Sequence, residues 1–171
     1  LKKIFEILDL HNKISIDNIG YLIGPILNAG GRLGNSNYAV KLLSSDNNYE
    51  IEVMLKKLFY LNKKRKKFEE IILKNINYKD IDKKKNNVIV YYDSTINEGL
   101  IGIIAARLKD FFNKPAIVLT NSQDFLKGSA RSITGFDLGL VFKNALDSKL
   151  ILKGGGHKMA GGFSIEKKNL N

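Results

Sequence analysis

A chain of 171 residues with 44% hydrophobic content can bury a core, so it is not a disordered tail. A formal charge of +11 favours an anionic partner such as nucleic acid, and the absence of cysteine excludes disulfides and thiolate chemistry. No apolar run is long enough to cross a bilayer, and the opening LKKIFEILDLHNK has neither the apolar core nor the cleavage site of a secretory signal.

These features predict a soluble, cytoplasmic protein without membrane attachment. The chain opens on Leu1 rather than methionine, which suggests a segment of a longer polypeptide. Of the 28 basic residues, arginine supplies only Arg32, Arg65, Arg107 and Arg131, in a chain where lysine is the common cation. Arginine offers a planar fork for phosphate or carboxylate that lysine does not reproduce.

In chain order, residues 1–50 are charge-balanced, and NAGGRLG (28–34) places Arg32 among glycines. The stretch 50–76 reads as one long helix. Met54, Leu58, Leu61, Phe68 and Ile72 follow a four-and-three spacing once Arg65 is counted in the seam, so Arg65 lies on or beside the packing face. The KKRKK run (63–67) then reads as a solvated face. NYKDIDKKKNN (77–87) reads as a linker or loop.

Beyond it the signals alternate. VIVYY (88–92), PAIVLT (115–120), FLKGSARSI (125–133) and GGFSI (161–165) are predicted strands. GLIGIIAARLKDFF (99–112) and DLGLVFKNAL (137–146) are predicted helices, the second with Asp137 as N-cap. The order predicts an α/β fold: a mixed β-sheet flanked by helices, preceded by a long connecting helix, with one βαβ unit at its start. Neither a GxGxxG turn after a strand nor a GxxxxGK[ST] loop occurs, so no nucleotide-binding loop of those kinds is predicted.

Three glycine-marked segments remain. NAGGRLG holds Arg32, GSARS (128–132) sets Arg131 between two hydroxyls, and GGGH (154–157) ends on His157 and reads as a turn. Bare backbone N–H groups beside a cation or hydroxyl suit a phosphate or a sugar-phosphate backbone. The same glycines are also explained by tight turns at positive φ.

GPILNAGGRLGN (24–35), LNKKR (61–65), EGLIGIIAARL (98–108), GSARSITGFDL (128–138) and GGGHKMAGGF (154–163) occur in an order that resembles the RecJ family. These are single-strand-specific 5′ to 3′ DNA exonucleases of the DHH phosphoesterase superfamily. The resemblance covers nearly the whole chain. It implies three parts: residues 1–49 as the end of the DHH side, 50–79 as the connecting helix, and 80–171 as the DHH-associated, substrate-binding domain. It further implies contacts to single-stranded DNA from Asn28, Arg32, Ser129, Arg131, Ser132, Gly154, Gly155, Gly156 and His157, with His157 beside the reacting phosphate. Arg107 is expected in a structural ion pair, and His11 reads as an ordinary surface histidine. Two departures from the family pattern stand out: Ile26 occupies a position where arginine is usual, and Asn97-Glu98 replaces His-Pro.

Hydrolysis in this superfamily uses a pair of divalent ions, Mn2+ or Mg2+. With two histidines, no DHH triplet and no acidic cluster at ligand spacing, no metal ligand is assigned in this chain, and the DHH domain of the same polypeptide is the implied partner. The segment alone is expected to be inactive. A stand-alone nucleic-acid-binding module and a DHH-family oligoribonuclease or nucleotide phosphatase remain the alternatives.

Overall fold

A computed structural model describes residues 2–8, 15–83 and 85–170; His11 lies outside them. The chain packs as two compact units, Leu1–Phe68 and Glu69–Asn171.

The first unit is helical. It comprises α1 (Lys2–Ile7), a π-helical turn over Asn18–Ile23, α2 (Gly24–Leu33), α3 (Asn37–Ser44) and most of α4 (Asn48–Asn75). Ile4, Ile23, Ile26, Leu42, Leu55 and Leu58 form its core. Residues 28–34, read from sequence as a glycine turn, lie almost wholly within α2. Pro25 opens that helix, where its missing N–H costs nothing, and Ile23, Ile26 and Ala29 bury one face. The backbone N–H groups of this stretch are therefore spent inside the helix and form no anion cradle. Gly30 instead permits a close approach, since a Cβ there would sit 2.7 Å from the Asn35 carbonyl oxygen.

Helix α4 covers the predicted span, but its buried seam is more polar than expected. Leu55, Leu58 and Leu61 are followed by Asn62, Arg65 and Glu69, all buried. Arg65 Nε donates to Asn62 Oδ1 at 3.2 Å. Phe68 falls off the seam and is 37% exposed, with Lys64 Nζ 5.4 Å from its ring centroid. Lys63, Lys64, Lys66 and Lys67 face solvent.

The second unit carries the sheet. The predicted linker contains a short helix, α5 (Tyr78–Lys83). After it come β1 (Ile89–Tyr92), α6 (Ile101–Phe112), β2 (Ala116–Ser122), β3 (Phe125–Arg131), α7 (Leu138–Asp147), β4 (Lys153–His157) and β5 (Ala160–Glu166). The sheet order is β1-β2-β3-β5-β4. The β1–β2 pair is parallel, as the βαβ reading requires, and the other pairs are antiparallel. The fold is thus α/β with a mixed sheet flanked by helices. Asp137 caps α7, its side chain accepting from Leu140 N–H. GGGH departs from the sequence reading. It is an edge strand, because each residue from Lys153 to His157 has a partner on β5.

Side chains alternate across the sheet, which gives it two unlike faces. On one face Leu119, Leu126, Ala130 and Phe163 pack with Leu138 and Phe142 of α7 and with Ile151. On the other, α6 packs on β2 and β3, burying Ile101, Ile104, Ala105 and Leu108 with Ala116 and Val118.

Candidate nucleic-acid interface

Strand register places nine residues of β3, β5 and β4 on the face that α6 shares. They form three rows: Lys127, Ser164, Lys153; then Ser129, Gly162, Gly155; then Arg131, Ala160, His157. With strands about 4.8 Å apart and same-face residues about 6.7 Å apart along a strand, the patch measures roughly 10 by 13 Å. Its corners are two lysines, an arginine and a histidine. Its centre is a hydroxyl and bare backbone.

The glycines divide by face. A Cβ on Gly155 would meet nothing within 4 Å, and one on Gly162 would come only to 3.6 Å from the Gly128 carbonyl oxygen. Both are exposed. On the opposite face, Gly128 makes room for the Phe163 ring, Gly161 for the Phe142 ring and Gly154 for Ile151. At Gly156 an added Cβ would strike the Ala160 carbonyl. Of the predicted GGG run, Gly155 alone lies on the open patch, while Gly154 and Gly156 serve packing and pairing.

Arg131 and Ser129 lean together against the first turn of α6. Arg131 Nη1 donates to Ser129 Oγ at 3.2 Å and to the Ala130 carbonyl at 2.8 Å. A Cβ on Gly102 would lie 2.9 Å from Arg131 Nη2 and 3.0 Å from Ser129 Oγ, so glycine at that position seats both side chains. Arg131 is half-buried, and this burial lowers its pKa from the ordinary arginine value. Among the described residues no carboxylate lies in ion-pair range of it. The guanidinium stays charged and poised for an anion.

His157 ends β4 and is exposed. Its Nδ1 accepts from Met159 N–H at 3.2 Å, which in the neutral ring puts the proton on Nε2. The ring therefore presents a donor.

Ser132 does not join them. It is 1% exposed, and its hydroxyl donates to the Phe136 carbonyl at 2.6 Å, so it shapes the loop after β3 and does not face the patch. Asn28 and Arg32 sit one turn apart on α2 in the first unit, Asn28 exposed and Arg32 partly so. Ile26 is a core residue. Arg107 forms the expected ion pair, its Nε 2.8 Å from Glu69 Oε1.

Sequence reasoning missed Lys127, Gly162 and Gly102. Lys127 shares strand parity with Ser129 and Arg131, and that alternation was the available signal. Its ammonium is 2.8 Å from Glu98 Oε2, one of the two family departures. The hydrogen bonds from Lys127 and then Ser122 hold the Glu98 carboxyl below the usual carboxylate range.

Among the described residues no three of His, Cys, Asp or Glu come together as a metal site, and the open patch is cationic. The described residues do not fit a resident divalent ion. Among them no helix is long and apolar enough to span a membrane.

A family model described as the DHHA1 domain matches residues 85–171. The single-stranded-DNA-specific exonuclease RecJ of Haemophilus influenzae is 35% identical over 160 residues, covering 89% of this chain and 28% of that protein. The RecJ of Escherichia coli is 33% identical over 163 residues, covering 91% and 28%. Among solved structures, RecJ in complex with Mn2+ from Thermus thermophilus superposes with a TM-score of 0.83 at 27% identity, covering 98% of this chain and 24% of that one. A RecJ exonuclease bound to manganese gives 0.78 at 27% identity, covering 98% and 41%. The chain thus spans about 28% of the length of the curated relatives just named. With the domain model matched over the whole sheet, and these likenesses reaching through the helices before it, the chain belongs to the DHHA1 domain family and is a relative of the RecJ exonucleases.

Proposed function

We propose that this chain is the nucleic-acid-holding part of a metal-dependent 5′ to 3′ exonuclease acting on single-stranded DNA. In this reading residues 1–49 are the end of a DHH-side region, 50–79 the connecting helix and 80–171 the substrate-binding domain. The carrying observation is the open patch: Arg131 and Ser129 seated against α6, His157 across β5 from them, and Gly155 and Gly162 between. A phosphodiester laid there can accept from a guanidinium, a hydroxyl and an imidazole N–H, with bare glycine backbone beside Ser129 and only the Ala160 methyl group between Arg131 and His157. Asn28 and Arg32 supply a second backbone contact from α2. Ser132 acts by positioning the loop.

A divalent ion, Mn2+ or Mg2+, held by residues outside this chain, supplies the activated water. The chain alone is then expected to bind and orient a strand without hydrolysing it.

The test is a salt titration of a labelled single-stranded oligonucleotide. Neutralised phosphates release counterions, so affinity should fall steeply and linearly on logarithmic axes, and a flat response would overturn the reading. Within that assay Arg131→Lys, which removes the bidentate fork, should weaken binding about ten-fold. Lys66→Ala, on the solvated face of α4, should be near neutral. Equal losses in the two variants would contradict the site.

A further inference from the structure

We propose that the cleft between residues 133–137 and the tip of the β4–β5 hairpin receives a nucleobase, that of the nucleotide whose phosphate lies on the open patch. This rests on the nucleic-acid reading above and adds to it a contact with the base.

The cleft has a volume of about 400 Å³, within the range of roughly 300–1,000 Å³ typical of small-ligand sites. It lies at the end of the sheet that carries the phosphate-type groups. Its loop leaves β3 directly after Arg131, and its other wall, Lys158 and Met159, directly follows His157. Phe136 and Met159 give it two partly exposed apolar walls, 37% and 43% exposed.

That exposure is built in. The buried Ser132 hydroxyl holds the Phe136 carbonyl at 2.6 Å, and Ser132 N–H donates to the Met159 carbonyl at 2.9 Å. Leu138 N–H donates to the Lys158 carbonyl at 3.2 Å. Gly135, at φ +96°, makes the bend that leaves the Phe136 ring at the cleft. Main-chain bonds thus tie the loop to the hairpin tip.

The chemistry of the walls selects the occupant. The cleft has no arginine and so lacks the fork that marks a phosphate seat. Its one acid, Asp137, already accepts from Leu140 N–H at 3.1 Å. The charge left over is Lys158, which complements a polyanion. An aromatic ring and a thioether beside a lysine, continuous with a phosphate patch, suit a stacked base joined to a sugar-phosphate chain.

Two ligands separate base from backbone: a labelled oligothymidylate, and an oligomer of equal length in which tetrahydrofuran spacers replace every base. Fluorescence anisotropy measures the binding of the 171-residue chain to each. Phe136→Leu keeps apolar bulk but removes the ring, and Met159→Ala probes the opposite wall. Each should weaken oligothymidylate binding about ten-fold and leave the abasic oligomer within about two-fold. Thermal melts of both variants should match the parent closely. Equal losses on both ligands, or no loss on either, would overturn the base cleft. Arg131→Ala serves as the separate control. If it weakens both ligands while Phe136→Leu shows no base dependence, the phosphate patch stands and the cleft falls. If it weakens neither while Phe136→Leu is base-dependent, the cleft stands and the phosphate reading falls.

Discussion

The two faces of the β3–β5–β4 segment use the same residue type for opposite ends. On the α7 face, Gly128 and Gly161 are glycine because the Phe163 and Phe142 rings occupy the space a Cβ would need, with the two ring centroids 5.2 Å apart. On the α6 face, Gly155 and Gly162 are glycine with almost nothing near them. The first pair is explained by the fold itself. The second pair is not, and an open sheet floor beside Arg131, Ser129 and His157 fits the proposed seat for a bound strand. A glycine count alone would have merged these cases.

The largest expected effect lies at the corner of the open face, in a full-length enzyme that includes the metal-holding part. His157 carries its donor at Nε2, so on the proposed reading His157→Ala should remove a donor to the charge that develops on the reacting phosphate. Turnover should fall by roughly 100- to 1,000-fold, well beyond any loss of substrate binding. Steady-state kinetics beside a thermal melt decide the matter. Normal turnover with a lowered melting temperature would make His157 a residue that only closes the hairpin.

Paired alanine substitutions test the division of the glycines directly. Gly161→Ala drives a methyl group into the Phe142 ring, and such overpacking should cost about 1–3 kcal/mol in a denaturant or thermal unfolding experiment. Gly155→Ala meets no neighbour, and its φ lies outside the left-handed region, so stability should hold or rise by about 0.4–1 kcal/mol. The same methyl group stands on the proposed strand-binding floor and should weaken oligonucleotide binding. Destabilisation by Gly155→Ala with unchanged binding would erase the distinction between the faces.

Much of this arrangement was legible in the sequence. Periodicity located β1, α6, β2, β3, α7 and β5, and Asp137 announced the start of α7. The failures share a cause, which is that glycine carries no local preference strong enough to reveal its partner. GGGH looked like a turn, yet pairing with β5 extends it into a strand. NAGGRL looked like bare backbone open to a phosphate, yet the burial of Ile23, Ile26 and Ala29 winds it into α2. Tertiary contacts decided both. The site followed the same rule. Ser129 and Arg131 share one strand parity and meet on the patch, whereas Ser132 has the opposite parity and is drawn into the loop by the Phe136 carbonyl. Polar character marked all three residues, but only alternation along β3 could sort them.

The smallest effect concerns the fourth corner. Lys127 would complete the cationic frame, but Glu98 lies 2.8 Å away and offsets its charge. The pair is partly exposed, with side chains 49% and 38% accessible, so its contribution to stability is at most about 1 kcal/mol. Glu98→Gln should therefore leave folding nearly unchanged while removing a negative charge from the rim, tightening single-strand binding about two- to three-fold at low salt. The pH dependence has a definite sign. Because the folded protein holds the Glu98 carboxyl below its usual range, the pair's stabilisation is present above the unfolded carboxyl's pKa and is lost as pH falls through the lowered folded value. The Gln variant should lack that part of the acid-side loss. If Glu98→Gln instead weakened binding, the carboxylate would be holding Lys127 in place for the strand, and this corner of the patch would depend on the glutamate.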